Sequence, residues 1–176
     1  MEQNLKLVPL SEDGREKFIR DLQSAFAVAV AETFGADAGE AIPREDIEQS
    51  LDAASAEAYR ILADGQEIGG AVLVIDPKTR RNSLDLLFVD PSFHGKGVGG
   101  AIWNEIEKLH PETEVWKTHT PYFEKRNIHF YVNKCGFRIV EFYNPHHPGT
   151  HLPSEPVPGG DCFFRFEKEM LPRGRK

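Results

Sequence analysis

Apolar residues along the 176-residue chain recur at two spacings, one helical and one alternating, and the order in which these take turns predicts the layout. Residues 4–9 alternate as a strand. Ser11 and Asp13 then stand where a helix cap belongs, ahead of Phe18, Ile19, Leu22, Phe26 and Val30 at helical spacing. That pattern fades between Gly35 and Gly39, and Pro43 in a first turn, followed by Ile47 and Leu51, predicts a short second helix. Strand patterns over 57–63 and 67–76 flank Asp64-Gly65, a hairpin turn pair. A turn over 77–82 leads to a strand at 83–89. After a glycine-rich loop, Ile102, Ile106 and Leu109 form one helical stripe that Pro111 stops, and a strand follows at 114–117. A helix over 125–135 capped by Gly136, then strands at 137–143 and 162–169, complete the chain. The expectation is a mixed α/β fold: a twisted sheet of about seven strands flanked by helices, antiparallel at first and parallel where a crossover joins 83–89 to 114–117.

Length and composition narrow the class. At 176 residues, 1–176 suits a single domain with one core. The N-terminal residues 1–10 lack the apolar core of a signal peptide, and no run approaches the ~20 apolar residues of a membrane span, so no membrane partner and a cytoplasmic location are expected. Cys135 and Cys162 are too few for a disulfide framework and stand in no metal-like pair. With a net charge of −7 and its basic residues scattered, the chain has no basic face for nucleic acid. The basic tail at 173–176 reads as a solvated end.

The chemistry gathers in two places. The first is Leu86-Leu87-Phe88-Val89-Asp90-Pro91-Ser92-Phe93-His94-Gly95-Lys96-Gly97-Val98-Gly99-Gly100, a strand that breaks at proline and runs through four glycines into a helix. The N–H groups of Gly95, Gly97, Val98, Gly99 and Gly100 are placed at a helix start to hold an anion, with Lys96 and His94 adding charge at the rim. A Walker loop is excluded because Lys96 sits between glycines, and a dinucleotide fingerprint because the loop is mid-chain and the next strand ends in Lys117-Thr118-His119. The second place is the irregular stretch 144–161, rich in proline and glycine and carrying His146, His147, His151, Glu155 and Asp161. A loop this long between strands is an expected wall of a second substrate's pocket. Its histidines are irregularly spaced and fixed by no element, so no metal is expected.

Two motifs carry a resemblance. His94-x-x-Gly97-x-Gly99 after Phe88-Val89-x-Pro91, and the segment from Asn127 through Tyr131 to Gly136-Phe137, resemble the GNAT superfamily of N-acetyltransferases, with His94 where that family usually has Arg or Gln. The resemblance implies a GNAT-like fold, acetyl-CoA as co-substrate, no metal, and direct transfer of acetyl to an amine of a small molecule, peptide or protein. It also implies main-chain pairing of the pantetheine arm with Phe88 and Val89, polarisation of the thioester by the Val89 N–H, a bond from Asn127 to that arm, and Tyr131 as the acid that protonates the departing thiolate. A homodimer is among the assemblies it implies. A chain that keeps the acyl-CoA cradle without turnover, acting as a sensor, is the alternative.

An alkylamine near its reference pKa of ~10.4 needs a base at neutral pH. Asp85, placed by alternation on the face of Leu87 and Val89, is the first choice, ahead of Glu67, His119 and the loop histidines. Glu57, Tyr59 and Tyr122 are weaker pocket residues. Tyr131 also fits a core position, in register with Ile128, Val132 and Cys135.

Overall fold

A computed structural model describes residues 4–149 and 153–170; His151 and the tail 173–176 lie outside the described residues. The order is β1 (Leu5–Pro9), α1 (Arg15–Phe34), α2 (Arg44–Asp52), β2 (Ala56–Ala63), β3 (Gln66–Val74), β4 (Arg81–Val89), α3 (Val98–Leu109), β5 (Val115–Pro121), α4 (Lys125–His129), β6 (Arg138–Tyr143) and β7 (Phe163–Glu169). The seven strands form one sheet in the order β1-β2-β3-β4-β5-β7-β6. Every neighbouring pair is antiparallel except β4 and β5, which the α3 crossover makes parallel.

The expected elements are present, with three shifts that matter for the site. Strand β5 runs on to Pro121, past the expected end at 117, because its buried positions include the hydroxyls Thr118 and Thr120 and so do not read as an apolar strand. The expected helix 125–135 divides: α4 stops at His129 and a π turn covers Phe130–Lys134, with the Cys135 N–H donating to Phe130 O and the Phe137 N–H to Tyr131 O. Pro43 precedes α2 as its cap residue instead of entering the first turn.

Each sheet face buries its own cluster. Helices α1 and α2 cover one face, where Phe18, Leu22 and Ile47 meet Val72 and Phe88, and the Phe18 and Phe88 rings pack edge to face at 5.3 Å. Gly70 on β3 makes room for this, since a Cβ there would lie 2.4 Å from the Phe18 ring. Helix α3 and the α4 segment cover the other face, with Trp103 against Trp116 at 5.3 Å and against Phe137 at 5.1 Å. Leu84, Leu87 and Val89 belong to this second cluster, while Leu86 and Phe88 belong to the first. The alternation changes phase because β3 pairs Val72 with Leu86 but Leu73 with Leu84, leaving Asp85 as the extra residue of a β-bulge.

Candidate active site

Strands β4 and β5 pair only at Arg81 with Val115, Asn82 with Trp116 and Ser83 with Lys117. One step on, the Thr118 hydroxyl donates to Leu84 O at 2.9 Å. Beyond it β4 stays with β3 as far as Val89 and β5 stays with β7 as far as Pro121, so the two parallel strands part. The gap opens into a cleft of about 700 Å³ walled by the end of β4, the glycine loop, the start of α3, the α4 segment and the second half of α1.

Local chemistry explains the loop. The Asp90 carboxylate accepts from the Ser92 N–H and hydroxyl, fixing a short turn at Pro91–Phe93. Gly95 and Gly97 have φ of 79° and 73°, a left-handed backbone that glycine adopts without penalty, and a Cβ on either would meet nothing within 4 Å. Among the described residues no protein group accepts from the N–H of Gly95, Gly97, Val98, Gly99 or Gly100. Gly99 has a second duty, because a Cβ there would lie 2.7 Å from the Phe130 ring and hold α3 off the π turn. Lys96 departs from its expected place: its ammonium lies over the Phe93 ring, 5.4 Å from the centroid, and the residue is not part of the cleft wall.

His94 ties the loop to both sides of the cleft. Its Nε2–H donates to Val89 O at 2.9 Å, and its Nδ1 accepts from the Arg126 guanidinium at 2.7 Å, the assignment that a donor-only arginine requires. Arg126 thereby stands beside the loop, in a chain whose net charge is −7, on a cleft wall that also carries Lys125, His129 and Lys134. Sequence reading missed Arg126; the signal was a histidine where a cation is usual, which leaves the cation to come from elsewhere.

The β4 backbone needs a correction at Phe88. The Phe88 carbonyl faces β3, close enough that a Cβ on Gly69 would lie 2.2 Å from it, and the Asp90 N–H donates to Ile68 O. Alternation therefore turns the main-chain groups of Leu87 and Val89, not those of Phe88, toward the gap. Phe88 lines the cleft as a side chain from the α1 face.

Asn127 and Tyr131 both line the cleft. The Asn127 amide donates to Thr120 on β5 at 3.4 Å. Tyr131 sits in the core among Phe130, Phe137 and Phe166 while its hydroxyl faces Thr118 at the fork of the strands, so the core position and the cleft position coincide. Burial raises its phenol well above the ordinary range. Glu124, also on the wall and unremarked in the sequence, is buried; desolvation lifts its carboxyl above the usual range against the pull of Arg126, with Glu32 adding to the rise. Cys135 is a core thiol pushed up to about 12 by burial.

Asp85 lies elsewhere. The bulge takes it off the face of Leu87 and Val89 and turns it to α2, where the Ser50 hydroxyl approaches its carboxylate at 3.4 Å, and it is not part of the wall of the large cleft. On that other face a smaller cavity of about 150 Å³ lies between the α1–α2 connection, the end of β5 and the β6–β7 loop, with Ile42, Asp46, His119, Pro121, Val157 and Phe163 among its walls. The loop is anchored there by the Ser154 N–H donating to the Asp46 carboxylate at 3.1 Å. His147 does not reach this cavity's wall; it stacks on Tyr143 at 5.6 Å and meets Glu141 at 2.7 Å. Glu57 and Tyr59 bond each other, and Glu57 bonds His110, away from both cavities. Glu67 meets Lys17 and Arg60, and Tyr122 packs on Phe142 and Phe164, again outside both walls. Among the described residues no three His, Cys, Asp or Glu side chains are grouped to hold a metal ion, and no helix is long and apolar enough to cross a membrane.

Comparison with known proteins bears on this geometry. The family model described as an acetyltransferase (GNAT) domain matches residues 54–139. An uncharacterized protein of Bacillus subtilis, YrkN, is 49% identical over 166 residues, covering 90% of each chain. Among solved structures, spermidine N-acetyltransferase from Vibrio cholerae in complex with CoA and spermine superposes with a TM-score of 0.66 at 12% identity, covering 94% of this chain and 95% of that one. The ribosomal-protein-S18-alanine N-acetyltransferase of Escherichia coli does so with a TM-score of 0.65 at 13% identity, covering 98% and 99%.

Proposed function

The chain belongs to the GNAT acetyltransferase family, and on that footing we propose that it transfers the acetyl group of acetyl-CoA directly to a primary amine of a small molecule or of a peptide or protein. The observation that carries the reading is the parting of β4 from β5 beside a helix start whose amides meet no protein acceptor among the described residues. In this reading the pyrophosphate lies on the N–H groups between Gly95 and Gly100, where the α3 dipole favours negative charge. The pantetheine arm runs into the fork as an added strand along Leu87 and Val89, with Asn127 alongside. The Val89 N–H then meets the thioester oxygen, where negative charge grows as the amine attacks.

Tyr131 sits at the fork, where the sulfur departs. Because burial raises its phenol above the ordinary range, it keeps its proton at neutral pH and serves as a hydrogen-bond donor to the thiolate. In this reading Tyr131 passes its proton to the departing thiolate and is reprotonated from the attacking nitrogen.

Thermal shift with acetyl-CoA, followed by an amine panel read through free thiol release, tests the proposal. A ligand at 100 times its Kd stabilises by about 2.7 kcal/mol. Stabilisation with thiol release from at least one amine is the expected result. No stabilisation overturns the reading, and stabilisation without thiol release from any amine makes the chain an acyl-CoA sensor instead.

A further inference from the structure

We propose that His119 is the base that deprotonates the acceptor amine and that Asp85 positions it, the amine entering through the smaller cavity on the α2 face; this deepens the acetyltransferase reading and rests on it. The placement follows from register. Pairing ends at Ser83 with Lys117, the Thr118 hydroxyl bond to Leu84 O carries the register one step on, and the step after that brings Asp85 level with His119 across the fork. Thr118 points to the α3 face, toward Tyr131, so His119 points to the α2 face. Asp85, turned by the bulge, shares that face and reaches Ser50 of α2. The two side chains thus stand where the strands begin to part, on the side opposite Tyr131.

His119 also forms part of the small cavity's wall. The cavity holds roughly five water volumes at about 30 Å³ each, enough for the end of an amine chain. Strand β5 links it to the large cleft: Thr120 lines the small cavity and accepts from Asn127, which lines the large one. An amine in the small cavity and a thioester in the fork would therefore meet across the gap between β4 and β5.

Several charged or titratable groups lie around His119. They are Asp85 on β4, Lys117 two residues back on β5, Arg165 opposite it on β7, Tyr143 stacked on it from β6 at 6.4 Å, and Asp46 of α2 across the cavity. The step balances as follows. The ammonium gives one proton to His119, which passes it to solvent; the freed nitrogen lone pair forms the C–N bond; the C–S bond breaks, and the second nitrogen proton ends on sulfur. Amide, free thiol and one released proton result.

The test combines kinetics, binding and NMR, with spermidine and an alanine-terminated peptide as amine probes. His119→Gln is expected to keep acetyl-CoA affinity within about threefold, to lower kcat at least ~100-fold, within the span of general-base catalysis, and to lose the low-pH limb of kcat/KM. Asp85→Asn is expected to lower the pH at which the His119 ring titrates by NMR, since it removes a neighbouring negative charge. A His119→Gln variant that keeps the limb assigns the base to another group, Glu124 foremost, and overturns the inference with the parent reading intact. An unaltered His119 titration in Asp85→Asn overturns the pairing even when neither probe is turned over. A wild-type protein that fails to bind acetyl-CoA fails the parent reading instead.

Discussion

The two cavities on either side of β5 are built by different means. In the proposed reading the large cleft holds its ligand first by backbone, through the N–H groups of the Gly95–Gly100 loop and the main chain of Leu87 and Val89 facing the gap, with side chains such as Arg126, Asn127 and Tyr131 around them. The small cavity is a side-chain site, assembled from Asp46 on α2, His119 on β5 and Val157 in the β6–β7 loop, residues more than a hundred positions apart at the extremes. A backbone site suits a ligand that does not change, because its N–H groups survive most substitutions. A side-chain site on loops suits a partner that differs from one relative to the next.

Substitutions in the two regions should therefore fail differently. The largest effect is expected from Gly97→Glu, which forces a Cβ onto a φ of 73° and brings a negative charge to the anion cradle. Acetyl-CoA affinity measured by calorimetry should fall by at least roughly a hundredfold, about 2.7 kcal/mol. Unchanged affinity would dissolve the contrast by showing that the loop's backbone does not hold the coenzyme. On the proposed reading Tyr131→Phe removes a hydrogen bond to a charged leaving group, worth about 1.5–3 kcal/mol, so kcat should drop by about 10- to 100-fold with coenzyme binding little altered. An unaltered rate returns Tyr131 to a purely packing role.

Arg126→Ala sharpens the comparison, since it asks how much the backbone site borrows from side chains. One charge-assisted contact predicts about tenfold weaker coenzyme binding and a flatter salt dependence, with Arg126→Lys in between. His94→Ala should reproduce part of that loss through Arg126, because His94 holds the guanidinium in place. The smallest effect concerns stability. The Glu124 carboxyl is raised in the folded protein, so folding gains from its protonation below the unfolded pKa and loses that gain as pH climbs through the folded value. Glu124→Gln should therefore raise Tm at pH 8 and leave it unchanged at pH 4, measured by calorimetry; an equal shift at both would assign the effect to packing.

The same contrast explains what the sequence disclosed. Glycines at positive φ and an alternating strand leave marks in the composition, so the glycine loop and the placement of Asn127 and Tyr131 beside it were legible, as were the sheet and its crossover. What stayed hidden depended on events between distant residues. The bulge at Asp85 comes from the register of β3 against β4, and one extra residue moved that carboxylate from the expected face to the opposite one. The direction of the Phe88 carbonyl follows from its pairing with β3, which alternation along β4 alone does not give. Arg126 was illegible because its place is set by His94, 32 positions earlier. Buried Thr118 and Thr120 hid the end of β5, and with it the strand position that gives His119 its side of the sheet.

Backbone amides receiving acetyl-CoA where β4 leaves β5 are the centre of the proposed function. A ¹H–¹⁵N NMR titration of the chain with CoA tests this most directly. Saturable shifts are expected at the amides of Gly95, Gly97, Val98, Gly99 and Gly100 together with Leu87 and Val89. Saturation of CoA binding with those resonances unmoved, or with shifts confined to another face, would contradict it.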